Sequence, residues 1–314
     1  MVFFHESGQM LIPSTIPIQS PDHPLLALKN IELAIMRLDL VHPGVSGNKF
    51  FKLKYNLEQA RKEGKDTLLT FGGAYSNHIF ATAEAARTEG FQSIGIIRGE
   101  RTEPLNPTLA HVESLGMKLH FVDRDTYRKK NESGFINELK DLFEDFYLIP
   151  EGGTNELAIK GTKEIIGEDE DQFSHLAVSI GTGGTFAGLA ASISSTQKLI
   201  GFSSLKGEFI HSEMEKLLSD HQILSVGNYQ VNSEYHFGGY GKYTQELIAF
   251  IKEFHQNFGI ALDPIYTGKL AFGIWDLIKK DFFVPQSKIL MIHTGGLQGN
   301  IGFAEKTGIK LPGL

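Results

Sequence analysis

The sequence predicts an α/β protein of two αβα lobes with largely parallel, twisted sheets. A smaller lobe at residues 53–155 is inserted into a larger one made of residues 1–52 and 156–314. Three observations lead there. The chain has 314 residues, enough to bury a sizeable core and to divide it between two lobes. Strand-like runs alternate with helical patterns along most of its length, as parallel βαβ units require. No repeat of fixed period and no low-complexity linker interrupts the alternation.

Taken in order, an apolar run from Ile31 to Leu40 reads as a strand entering the core, broken by Pro43-Gly44. Leu53, Leu57 and Ala60, with charges between them, predict a helix over Lys52–Glu63 closed by Gly64. Strands are predicted at Thr67–Phe71, Ser93–Ile97, Leu119–Val122 and Tyr147–Ile149. Helices separate them at Asn77–Glu89, Pro107–Leu115 and Glu132–Phe143. A second series runs through helix Glu156–Gly167, strand His175–Ile180, a glycine-rich turn, helix Thr185–Ser194 and strand Leu199–Ser203. It ends with helices Thr244–Phe258 and Lys269–Lys280 and strand Lys288–Ile292. The acidic run Gly167-Glu168-Asp169-Glu170-Asp171 reads as a solvated loop.

Composition removes several function classes. A hydrophobic share of 41% and a charged share of 21% are ordinary for a globular chain. The net charge of -7 argues against a nucleic-acid surface, which wants a basic patch. With no cysteine there is no disulfide, thiolate nucleophile or Cys-ligated metal. No apolar run reaches the roughly 18 residues of a membrane span, so no membrane partner is expected. Met1 to Glu6 lacks the basic and apolar regions of a secretory signal, so a cytoplasmic protein is expected. Histidines 42, 111, 236, 255 and 293 have no metal-ligand spacing and read as structural or solvent-facing, so no metal is expected.

The chemistry centres on Gly44-Val45-Ser46-Gly47-Asn48-Lys49-Phe50-Phe51-Lys52. Lys49 among aromatic and aliphatic neighbours is either a solvated lysine opening a basic helix or a partly dry amine. Burial lowers an amine's pKa because the charged form loses hydration. A neutral amine can attack a carbonyl and hold it as a Schiff base.

Two glycine turns keep it company. Gly181-Thr182-Gly183-Gly184-Thr185 follows a strand and opens a helix, so backbone N–H groups and two hydroxyls converge as a cup for phosphate; plain turn chemistry is the alternative. Phe186 stands where a dinucleotide fingerprint needs glycine, the next strand ends in Ser203-Ser204 rather than an acid, and no Walker loop occurs. Nicotinamide and ATP are therefore disfavoured. Gly72-Gly73-Ala74-Tyr75-Ser76-Asn77-His78 also joins strand to helix, with Ser76 and Asn77 as capping types. Capping accounts for one of them; the pair after a double glycine suggests a carboxylate site. Tyr240 and Tyr266, flanked by glycines, either face a cleft or straddle core and surface.

In this order, G-N-K-x-x-K-L, G-G-x-x-S-N, the Gly/Thr loop, D-P-I-Y-x-G-K and a late G-G resemble the pyridoxal-phosphate enzymes of the tryptophan-synthase β-like fold. The likeness covers about Val41 to Gly299 and is nearest to the branch of 1-aminocyclopropane-1-carboxylate (ACC) deaminase and D-cysteine desulfhydrase. The resemblance implies pyridoxal 5'-phosphate as cofactor, a small amino-acid substrate, α,β-elimination chemistry and a homodimer. It implies Lys49 as the Schiff-base lysine that also takes the α-proton, and Lys52 as the basic support of the cofactor phosphate. Gly181, Thr182, Gly183, Gly184 and Thr185 match the phosphate loop. Asn77 matches the partner of the cofactor's phenolic oxygen, and Ser76 meets the substrate carboxylate. Tyr240 and Tyr266 match the active-site tyrosines, and His78 joins the substrate side.

Within that branch the deaminases carry Glu after the second tyrosine, Leu in the late G-G segment and Gln after Ser-Asn. Here stand Thr267, Thr294 and His78, all leaning toward the desulfhydrase pattern. A carboxylate beside the cofactor nitrogen would keep it protonated, as ring opening demands, whereas a hydroxyl suffices when thiolate leaves. Elimination from D-cysteine, or a related D-amino acid with a β-leaving group, is the expected activity. ACC deaminase is the alternative, and a catalytically silent cofactor-binding protein the alternative of another class. Tyr75, where the family often has Gln, and the missing Arg-Gln pair in the next helix leave the amino acid itself open.

Overall fold

Continuous apolar runs, rather than alternating ones, make the central strands of this protein, because helices cover both faces of each sheet. The computed structural model describes residues 11–225 and 227–313. Its strands are β1 (Ile18–Gln19), β2 (Glu32–Met36), β3 (Thr67–Gly73), β4 (Gln92–Arg98) and β5 (Lys118–Val122), followed by β6 (Tyr147–Ile149), β7 (His175–Ile180), β8 (Lys198–Ser203), β9 (Asn228–Asn232) and β10 (Lys288–Ile292). They form two sheets, ordered β1-β2-β10-β7-β8-β9 and β5-β4-β3-β6, in which β1 against β2 is the antiparallel pair and all other pairs are parallel. The α/β class with largely parallel sheets is as predicted.

A single apolar cluster ties the sheets together. It joins Leu68 and Ile149 of the smaller sheet to Val178 and Leu290 of the larger through Leu53 and Leu57 of helix Asn48–Lys62. That helix lies close against helix Glu156–Thr162: a Cβ on Gly161 would come 1.9 Å from the Phe51 carbonyl oxygen, so only glycine allows the approach.

Three local differences from the sequence reading matter. The run Ile31–Leu40 does not stay extended. β2 stops at Met36, and Leu38–Leu40 forms a 3-10 turn closed by Val41 N–H to Leu38 O, with the Arg37 guanidinium bidentate on Asp39 at 2.8 and 2.6 Å. The next helix starts at Asn48, four residues before the predicted Lys52. Gly47 permits this with φ 71°, and a Cβ there would lie 2.0 Å from Thr294 O. The predicted solvated loop at 167–171 is instead a 3-10 helix over Glu168–Gln172, largely exposed.

Helices Pro24–Lys29, Arg124–Arg128, Phe209–Asp220 and Gly299–Thr307, with strands β1 and β9, are elements the sequence reading did not place. Among the described residues no helix is long and apolar enough to cross a membrane.

Candidate active site

A cavity of about 540 Å³ opens between the two sheets and is lined from both sides, by Gly73 to His78 and Arg98 on one and Ser179, the glycine loop and Thr294 on the other. It lies at the carboxyl ends of β3, β4, β7 and β10, where parallel sheets place their ligands. The early start of helix Asn48–Lys62 sets Lys49 and Lys52 three residues apart on one face, both at this cavity.

Lys49 is half-buried and lines the cavity. Its Nζ donates to Asn48 Oδ1 at 3.2 Å, while Asn48 Nδ2 donates to Thr185 Oγ1 at 2.7 Å, so the amine is tied to the glycine loop. Burial pulls the Lys49 pKa down to about 8.

Lys52 is 2% exposed. Its Nζ donates to Gly152 O (2.9 Å), Thr154 Oγ1 (3.0 Å) and Thr182 Oγ1 (3.3 Å), all neutral acceptors. Burial first, and the Lys49 charge second, push its pKa well below the ordinary lysine value. A buried ammonium without a carboxylate is costly unless an anion arrives. The loop beside it supplies Gly181, Thr182, Gly183 and Thr185 to the cavity wall. Gly184 packs against Lys52: a Cβ there would meet Thr154 Oγ1 at 2.9 Å and Lys52 Nζ at 3.1 Å. Its smallness lets Lys52 approach the loop.

The other turn divides the two capping-type residues. Ser76 Oγ accepts from the N–H groups of His78 and Ile79 at 3.2 and 3.3 Å, capping helix Asn77–Glu89, which leaves its own hydrogen free to donate into the cavity. Asn77 is not a cap. Its Oδ1 accepts from Gln298 Nε2 at 2.5 Å, which leaves Nδ2 as the available donor. His78 is buried, with Nε2 2.8 Å from Thr70 Oγ1. Thr70 donates to Ile149 O at 2.9 Å, so Nε2 carries the hydrogen and Nδ1 is left without a partner. Burial, then the Lys49 and Lys52 charges, hold His78 well below its usual pKa, hence neutral.

Tyr240 and Tyr266 meet edge-on with centroids 6.1 Å apart, and both line the cavity. Burial, then Tyr240, raise the Tyr266 pKa well above the usual phenol value, so it is a hydrogen-bond donor rather than a base. A Cβ on Gly181 would lie 3.2 Å from the Tyr266 ring. Lys269 Nζ donates to His236 O and Gly239 O at 2.9 and 2.8 Å and so fixes the loop that carries Tyr240.

Thr294 lines the cavity beside Ser179, their hydroxyls 3.2 Å apart. Thr267, expected with it as a cofactor contact, is not there. It is fully buried, and its hydroxyl donates to Asp263 Oδ2 at 2.6 Å while its N–H reaches the same oxygen at 2.9 Å. The Asp263 carboxylate gathers the N–H groups opening helix Thr267–Lys279, so Thr267 serves the helix start and the placing of Tyr266.

Sequence reasoning missed Asn48, Arg98, Glu151, Gly152 and Ser179 on the wall, and Gln298 behind Asn77. Ser179 alone carried a signal: it is a polar residue near the end of the buried strand His175–Ile180, two positions before the glycine loop.

Comparison with known proteins agrees with this chemistry. The family model "Pyridoxal-phosphate dependent enzyme" matches residues 21–295. A Pyrococcus horikoshii protein, provisionally named a 1-aminocyclopropane-1-carboxylate deaminase, is 33% identical, covering 94% of each chain. The Arabidopsis thaliana mitochondrial bifunctional D-cysteine desulfhydrase/1-aminocyclopropane-1-carboxylate deaminase is 30% identical over 85% of this chain and 73% of its own. A crystal structure of an ACC deaminase homologue superposes with a TM-score of 0.81 at 31% identity, covering 94% of each chain.

The residues present fit such a cofactor: Lys49 for its aldehyde, Lys52 with the Gly181–Thr185 loop for its phosphate, and Asn77 Nδ2 as a donor to its ring. An uncompensated buried lysine beside a glycine loop is the arrangement a phosphate monoester needs. The chain therefore belongs to the family of pyridoxal-phosphate dependent enzymes.

Proposed function

We propose that this enzyme eliminates a β-substituent from a small amino acid, D-cysteine foremost, giving pyruvate, ammonia and sulfide with uptake of one water. Bound pyridoxal phosphate supplies the electron sink for the α-carbon. Lys49 Nζ would hold the cofactor aldehyde and would serve as the base for the substrate α-proton; a pKa near 8 suits a base working near neutrality. Ser76 donates its hydroxyl hydrogen to the substrate carboxylate, and the neutral His78 ring closes the floor beneath it. Tyr240 and Tyr266 are protonated walls that orient the substrate and restrict water.

The observation that carries the choice of activity is the neutral hydroxyl pair Ser179 and Thr294 at the cavity wall. Among the described residues lining the cavity the carboxylate is Glu151, engaged by the Tyr127 hydroxyl at 2.7 Å and by Lys130 at 3.3 Å. Neutral partners favour a reaction that expels a good leaving group. The second reading, ACC deamination to 2-oxobutyrate and ammonia, draws on the names of the Pyrococcus and Arabidopsis relatives.

Purified holoenzyme tested on D-cysteine, D-serine, L-cysteine and ACC decides between them. Pyruvate from D-cysteine with none of the cyclopropane acid consumed is expected; 2-oxobutyrate from ACC with D-cysteine inert selects the second reading. In Lys49→Ala the visible absorbance of the bound cofactor is lost and turnover drops by about 10²–10⁴-fold. An unchanged band would remove Lys49 from its role. Assembly as a homodimer and residence in the cytoplasm belong to the same reading, and sedimentation of the purified chain tests the first.

A further inference from the structure

Beside the active-site cavity lies a second one of about 400 Å³, lined by Arg98, Arg124, Tyr127, Arg128, Lys130 and Glu151. Four cations and one carboxylate make it basic in a chain whose net charge is -7. Arg98 and Glu151 line both cavities, so the two share a wall.

The charges are unevenly spoken for. Glu151 is held by Tyr127 and Lys130, and Arg128 pairs with Asp125. Arg98 and Arg124 have no ion-pair partner among the described residues. Arg98 ends β4 in register with Gly73 of β3, three residues before Ser76. A Cβ on Gly73 would lie 3.5 Å from Arg98 Nη2, so the guanidinium lies over the turn read above as the carboxylate site. The Tyr127 ring backs it, with the guanidinium carbon 5.6 Å from the centroid, and Lys130 lies 5.3 Å from the same ring. A planar guanidinium held by an aromatic face, with its donors unpaired, is a ready carboxylate or sulfonate receptor.

We propose that Arg98 is a specificity-determining residue that admits substrates with a second acidic group on the side chain, the basic cavity receiving that group. The idea rests on the elimination reading and extends it: beside D-cysteine, the site accepts amino acids that carry an anionic β-substituent or an acidic tail. One acid group meets Ser76 and the other meets Arg98. Both the cavity's position, at the carboxyl ends of β4, β5 and β6, and its charge favour such entry.

Binding of inert acids tests this without turnover. Calorimetry on the holoenzyme compares succinate, with two carboxylates, and butyrate, with one. Succinate binding at least tenfold tighter is expected, and Arg98→Ala reduces succinate affinity at least tenfold more than butyrate affinity, with Arg98→Lys restoring part of the difference. Equal affinities, no heat from either acid, or a preference that survives Arg98→Ala overturns the proposal. An equal loss for both acids also overturns it, because Arg98 would then serve the common carboxylate or the fold. Since neither probe is turned over, an inactive enzyme in the substrate panel overturns the elimination reading while leaving this measurement standing.

Discussion

The two strand-to-helix turns that face each other across the cavity solve opposite problems. The turn after β3 works through side chains: a capping serine with a spare hydrogen, an asparagine clamped by Gln298, and a histidine kept neutral by burial and two nearby lysines. All its groups are uncharged, and hydrogen bonds to its own helix start, to Gln298 and to Thr70 hold it ready before anything binds. The loop after β7 works through its backbone and a borrowed cation, Lys52, whose three partners are neutral oxygens. The first turn is thus self-sufficient, whereas the second is electrostatically incomplete without an anion. A site can recruit its cofactor by leaving one half unsatisfied while the other half stays rigid.

Lys52→Met is the strongest way to break that contrast. Losing charge-assisted bonds of about 1.5–3 kcal/mol weakens cofactor affinity by about 10- to 100-fold, measured by fluorescence titration of the cofactor-free protein. The cofactor-free variant melts higher than the wild type, because the cost of burying this amine, paid largely by giving up its proton, has gone. The sign with pH follows. A lysine whose folded pKa is lowered costs stability at neutral pH, and that cost shrinks as pH rises toward the unfolded value of about 10.4. The advantage of Lys52→Met over the wild type is therefore larger at pH 7 than at pH 10; a gap that widens with pH contradicts the assignment.

Ser76→Ala probes the other turn. It removes the cap of helix Asn77–Glu89 and costs about 1 kcal/mol in chemical denaturation, together with a lower kcat/KM. If kcat/KM falls with no loss of stability, the cap is dispensable and the turn is less self-supporting than the comparison says.

A pH-dependent effect concerns His78. Its folded pKa lies well below 6.5, so the unfolded chain binds a proton that the folded chain refuses. Stability is then lost as pH falls below about 6.5, by at most about 1.4 kcal/mol per unit, and the slope flattens in His78→Gln. Denaturation midpoints between pH 5 and 7.5 measure it.

The finest test is proton linkage at the anion loop. A phosphate next to Lys52 raises its depressed pKa, so cofactor binding near neutral pH takes up protons. Calorimetry in buffers of different ionisation enthalpy reads this, and the uptake is smaller in Lys52→Met. Binding with no proton exchange in the wild type would mean that Lys52 is already charged before the cofactor arrives.

Much of this was legible in the chain itself, because local chemistry fixes it. The strand from Thr67, the double glycine, Ser76 as cap and the helix ending at Gly90 follow one another with boundaries that hold to within two residues. The same holds for strand His175–Ile180 and the loop after it. Lys49 and Lys52 were recognisable by their neighbours. Elements with weak patterns were not: β1 is two residues long, and β9 is a polar edge strand whose place is set by pairing with β8.

The sequence by itself determined the order of the strongly patterned strands and helices, the two glycine turns and the pair of lysines, since propensity, capping and turn chemistry act over a few residues. Only the tertiary structure decided which of two threonines faces the cavity, because Asp263 claims Thr267 while β10 brings Thr294 beside Ser179. It likewise decided that Lys52 has no counter-charge and that Arg98 lies over Gly73, since both depend on groups from distant parts of the chain meeting at the ends of the sheets.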